Sequence, residues 1–119
     1  MASNIEITLI EKIFKIKADE FIDLVPPIGS CIATDKITVE GRKVGYMYRE
    51  EPYGDIDSGW RFFAVTEDQK YVDDSKNMMI YNVNTIANCD SAIIPYLSLP
   101  YGTELERIEN SDEFQIITE

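Results

Sequence analysis

Between Gly59 and Val65 the chain reads Gly-Trp-Arg-Phe-Phe-Ala-Val. Successive side chains of an extended backbone point to opposite sides, so Trp60, Phe62 and Ala64 share one face and Phe63 and Val65 the other. A strand that is apolar on both faces belongs in the middle of a sheet, with another layer packed over it. The preceding strand is Lys43–Arg49, with Val44, Tyr46 and Tyr48 to one side and Gly45 and Met47 to the other. The polar loop Glu50–Ser58, carrying Pro52, Gly54, Asp55 and Asp57, joins the two as a wide hairpin.

Other segments arrange themselves around that hairpin. Cys31–Thr34 is a short apolar run, and the β-branched Ile37-Thr38-Val39 predicts a strand that turns at Glu40-Gly41-Arg42. At the start, Ile5, Ile7 and Leu9 alternate as in a strand, while Ile5, Leu9, Ile13 and Ile16 also fit a helical stripe, which leaves that element open. Ala18–Val25, stopped by Pro26-Pro27, predicts a short helix. Glu67–Asn77 reads as a loop and Met78–Val83 as a short apolar segment. Asn84 offers an N-cap for Thr85–Asn88, and Asp90 or Ser91 caps a turn carrying Ile93, Ile94 and Leu97. Thr103–Ile108 and Phe114–Thr118 flank Asn110-Ser111 as a terminal hairpin. The expected fold is α+β: one small domain with a central antiparallel sheet of about five to six strands and short helices near the N-terminus and before the last hairpin. Residues 1–29 form a lead-in that packs with 30–119 as one domain.

The 119 residues fit one domain, and a chain this size buries roughly two thirds of its surface without needing a disulfide or metal. Lysine and arginine number 11 against 22 acids, for a net charge of −11. That field repels nucleic acid and anionic membranes and attracts a basic partner, although acidity also serves solubility. With no histidine, Ser-His and Cys-His catalysis and the usual zinc-hydrolase ligand sets are excluded. Cys31 and Cys89 lack a Cys-x-x-Cys spacing and are expected to be free thiols. No stretch reaches the ~20 apolar residues of a membrane helix, and Glu6 and Glu11 interrupt any signal-peptide core. A cytoplasmic protein is expected.

Asp55-Ile56-Asp57 opens like a calcium loop, but Trp60 stands where a glycine must turn and Thr66 where a bidentate glutamate closes the site. No metal is expected there. Nor does any glycine-rich phosphate loop occur, and abundant carboxylates alone do not define a glycosidase-like pair. Tyr46, Tyr48, Trp60, Phe62 and Phe63 read as core packing. Arg49 and Arg61, set among those aromatics, call for carboxylates from Glu50, Glu51, Asp55 or Asp57, either as a structural clasp or as a binding surface.

The run Gly45-Tyr-Met-Tyr-Arg-Glu50, together with Asp57-Ser-Gly-Trp-Arg-Phe-Phe63, Tyr71-Val-Asp-Asp74, Ile80–Asn88 and Ile93-Ile-Pro-Tyr-Leu97, resembles the bacterial immunity protein thirty-three family over about Ser30–Ile108. The resemblance implies an α+β domain that neutralises a toxin of contact-dependent or polymorphic systems. This chain departs from the family where Ala64-Val65-Thr66-Glu67 replaces a small residue followed by Gly-Asp, where Cys89 replaces an aromatic, and where Ser98 replaces an acid. The expectation is a protein that binds a basic toxin domain, without catalytic residues, cofactor or metal. Its partner-binding residues are expected to be Glu50, Glu51, Asp55, Asp57, Glu67, Asp68, Asp73 and Asp74, on the loops flanking the Trp60 strand. Tyr46, Tyr48, Arg49, Trp60, Arg61 and Phe62 are the motif residues. A regulatory or ligand-binding module and a carboxylate-based enzyme are the alternatives.

Overall fold

The computed structural model describes residues 12–117. Its sheet contains β1 (Ser30–Thr34), β2 (Tyr46–Arg49), β3 (Asp57–Phe63), β4 (Met78–Asn82), β5 (Glu104–Arg107) and β6 (Phe114–Ile116). The lateral order is β4-β1-β3-β2-β5-β6, so the doubly apolar strand is central, as expected. The β2–β3 and β5–β6 hairpins form where the sequence places them. The α+β single domain and its strand number agree with the sequence reading, with one amendment. The β1–β3 pair is parallel, which makes the sheet mixed.

Among the described residues three short α-helices join the strands: α1 (Asp35–Thr38), α2 (Gln69–Asp73) and α3 (Val83–Cys89). The stretch Ile37-Thr38-Val39, expected as a strand, is instead the end of α1 and its cap, with Val39 N–H donating to the Asp35 carbonyl. Burial of Ile37 and Thr38 against the core outweighs their β-branched preference. The acidic stretch Glu67–Asn77, expected as a loop, contains α2 and a 3₁₀ turn over Ser75–Asn77. Asp68 and Asp74 cap these two by accepting from Tyr71 N–H and Lys76 N–H. The helix near Asn84 starts earlier than expected, with Asn82 at the N-cap position but making no side-chain cap bond, whereas Asp90 caps the 3₁₀ segment Ser91–Tyr96 as foreseen.

Ala18–Val25, expected as a helix, makes one 3₁₀ turn over Ala18–Glu20 and then continues without regular structure. Asparagines one turn apart on α3 hold it so. Asn84 accepts from Leu24 and Val25 N–H, Asn88 accepts from Ile22 N–H, and both donate to the Ile22 carbonyl. These bonds satisfy backbone groups that a helix would have used internally. The alternative helical and strand readings around Ile5 and Leu9 fall outside the described residues.

One face of the sheet forms the core. Cys31, Ala33, Met47, Trp60, Phe62, Leu105 and Phe114 pack there with Ile37 of α1, Val83, Ile86 and Ala87 of α3, and Ile93. The opposite face, with Ile32, Tyr46, Tyr48, Arg61, Phe63 and Ile80, contributes nothing to that cluster. The second covering layer expected over β3 is therefore absent among the described residues.

β3 ends at Phe63, and Val65 is exposed in the left-handed region at φ 85°. This is where the resembled family runs to glycine, and the backbone conformation is one that a β-branched residue adopts only under strain. Gly45 makes room for it, since a Cβ there would lie 2.4 Å from Val65 Cγ2. Val65→Gly should stabilise the fold by about 1 kcal/mol, the left-handed penalty less the added chain entropy of glycine. A urea titration that finds no gain, or a loss, would show that Val65 contributes packing that outweighs its strain.

Candidate functional site

Arg61 lies at the centre of the uncovered face, yet only 2% of it is exposed. Its Nε donates to Glu50 Oε2 at 2.6 Å, Nη1 and Nη2 form a fork with Asp57 at 2.9 and 2.7 Å, and Nη1 also reaches the Trp60 carbonyl. Tyr53 roofs the guanidinium at 4.8 Å and donates its hydroxyl to Glu50. Four residues of regular strand would put Asp57 roughly 13 Å from Arg61. An irregularity between the Ser30–Asp57 and Ile32–Arg61 pairs shortens that reach. It turns at Gly59, held at φ +90°, where a Cβ would meet the Glu50 carbonyl at 2.2 Å.

The Arg61 hydrogen bonds, helped by N–H groups of Tyr53 and Gly59, hold the Asp57 carboxyl well below the usual carboxylate range, despite an opposing desolvation effect. Because the unfolded chain binds that proton more readily, the stabilisation from Asp57 is complete above its unfolded pKa, about 4, and is lost as pH falls towards the folded value. The urea midpoint should therefore drop on acidification below about pH 4. Asp57→Asn should flatten that part of the curve, and an identical acid slope in the variant would contradict the linkage.

The eight acids expected to bind a partner divide by their local bonds. Glu50 and Asp57 clasp Arg61, while Glu51 and Asp55 are exposed beside them. Glu67 Oε2 accepts from Thr34 Oγ1 and Ala64 N–H, and its Oε1 is buried without a hydrogen-bond partner. Asp68 and Asp74 are caps, and Asp73 accepts from the Gln69 side chain. The calcium reading loses Asp57 to Arg61, and no group of three potential metal ligands converges among the described residues.

The motif residues also separate. Trp60 and Phe62 stack in the core. Arg49 takes no carboxylate among the described residues, contrary to expectation. It donates to the carbonyls of Ser58 and Leu99 and lies against the rings of Trp60 and Tyr101. Tyr46, Tyr48 and Phe63 form a half-buried cluster on the open face, with ring centroids 5.8 to 6.0 Å apart.

A second buried carboxylate escaped the sequence reading beyond its role as a cap. Asp90 accepts from the N–H groups of Val44 and Ala92 and pairs with Arg107, which itself donates to the Val44 carbonyl. Neighbouring residues gave only the cap signal, because Val44 and Arg107 are distant in sequence. Both cysteines are free, and burial pushes both thiols above the usual range. A cavity of about 450 Å³ opens beside Phe14, Ile16, Phe21, Tyr81 and Cys89. No helix among the described residues is long and apolar enough to cross a membrane.

These features define the class: a small α+β domain on a mixed sheet, with helices packed on one face and an arginine–carboxylate clasp at the centre of the other. The chain belongs to the immunity protein Imm33 domain family, whose model matches residues 31–118 and so spans the sheet from β1 to β6. Membership assigns an immunity-type role. No curated protein and no solved structure matches the chain.

Proposed function

We propose that this protein resides in the bacterial cytoplasm and binds a toxin domain, blocking it by occupancy without chemistry of its own. The observation that carries the reading is the Imm33 match across 31–118. The net charge of −11 favours a basic target, such as a toxin that acts on a polyanionic substrate. In this reading the exposed acids Glu51, Asp55 and Asp73 act at the rim and steer association.

The test is coexpression with the C-terminal domain of a large secreted protein encoded beside its gene. That domain alone should arrest growth, and this chain should restore it. Failure to protect would leave the ligand-binding alternative, which the apolar cavity near Tyr81 favours. Reversing Asp55 and Asp73 to lysine should slow association about tenfold at low salt and flatten its salt dependence while the domain stays folded. Stopped-flow rates that ignore both salt and the reversals would assign those acids to solubility.

A further inference from the structure

We infer that the sheet face left uncovered by the described residues, centred on Arg61 and Tyr48, is the surface on which the toxin domain docks, and that it receives a lysine or arginine of that domain. The inference rests on the immunity reading and places the interface core on the sheet face, with the acidic loop Glu50–Ser58 at its edge. One row of register partners runs across five strands: Ile80, Ile32, Arg61, Tyr48 and Glu104. Ile80 is 71% exposed, and Tyr53 and Ile56 beside the row are 78% and 77% exposed.

Tyr46 and Tyr48, half-exposed on this face, are of the residue type enriched at interface centres. Rigidity fits as well. Arg61 is fixed by two carboxylates and a carbonyl, and the Tyr46, Tyr48 and Phe63 rings pack on one another. Little side-chain freedom remains to be lost on binding.

Charge selects the occupant. The aromatic cluster is bordered across the strands by Glu104, opposite Tyr48, and Glu106, opposite Tyr46. A purely apolar partner would bury those two carboxylates unpaired, which is costly. A basic side chain would instead lie on the tyrosine rings and reach the carboxylates. Arg61 does not neutralise them, since its donors are taken by Glu50, Asp57 and Trp60.

The experiment titrates the C-terminal domain of the adjacent secreted protein, rendered inactive, with the full chain and its variants by calorimetry. Ile80→Asp and the pair Glu104→Lys/Glu106→Lys should each weaken binding by about 30-fold or more with little change in melting temperature, and Tyr48→Ala should weaken it as much while also lowering the melting temperature, because its ring packs on Tyr46 and Phe63. Asp19→Lys/Asp23→Lys changes the net charge equally on exposed positions of the lead-in, and should cost less than about threefold. If the wild type binds and the face variants bind equally well, the docking face is wrong while the immunity reading stands. Equal losses in both charge pairs would reduce the effect to overall charge and also overturn it. If the wild type neither binds nor protects, the immunity reading fails and the docking proposal fails with it.

Discussion

Trp60→Ala should lower the unfolding free energy by about 3–5 kcal/mol, the usual cost of truncating a large buried aromatic. The indole has no exposed surface, stacks on Phe62, and donates Nε1–H to the Leu97 carbonyl at 3.1 Å. Truncation therefore opens a cavity and leaves a buried carbonyl short of a partner. Against a total of about 5–15 kcal/mol for a domain of this size, the variant would be marginal. Trp60→Phe keeps most of the packing and should cost about half as much or less, chiefly through the lost hydrogen bond. Urea unfolding measures both, and the native tryptophan emission should be blue-shifted and resist iodide quenching. A loss under about 1 kcal/mol, or water-like emission, would contradict the burial.

Removing the carboxylate of Asp90 should be comparably damaging, at about 3–5 kcal/mol for Asp90→Ala. The side chain is 2% exposed and ties three parts of the fold together: the backbone before β2, the 3₁₀ segment after α3, and Arg107 on β5. Without it the Val44 N–H is orphaned, and Arg107, 14% exposed, retains only Asp112, which is 86% exposed, as a carboxylate partner. A double-mutant cycle with Arg107→Met isolates the pair, and a coupling above about 1 kcal/mol is expected. Additive losses would mean that the backbone bonds of Asp90, rather than the ion pair, carry its effect.

The candidate site was legible in its parts. Arg61 stood out as a charge inside an apolar strand, and Glu50 and Asp57 were among four acids able to meet it. The choice among the four required the bulge at Gly59, a backbone irregularity that strand periodicity does not encode. Arg49 carried the same sequence signal yet took carbonyls, because its side chain lies beside Trp60 on the core side of the sheet.

By itself, the sequence determined the central strand, both hairpins, the burial of Trp60 and the α+β class, since each follows from alternation and turn residues within a short span. The family resemblance was likewise carried by contiguous runs around Tyr46–Arg49 and Asp57–Phe63. Tertiary structure alone decided that Ile37-Thr38 closes a helix, because core burial outweighed a β preference of at most ~1 kcal/mol. It also decided that Ile22–Val25 is held to α3 without helical structure of its own, through asparagine bonds to residues about sixty positions away. The parallel β1–β3 pairing and the Asp90–Arg107 link are of the same kind. Each joins segments whose proximity only the completed chain path creates, and no local pattern specifies such a path.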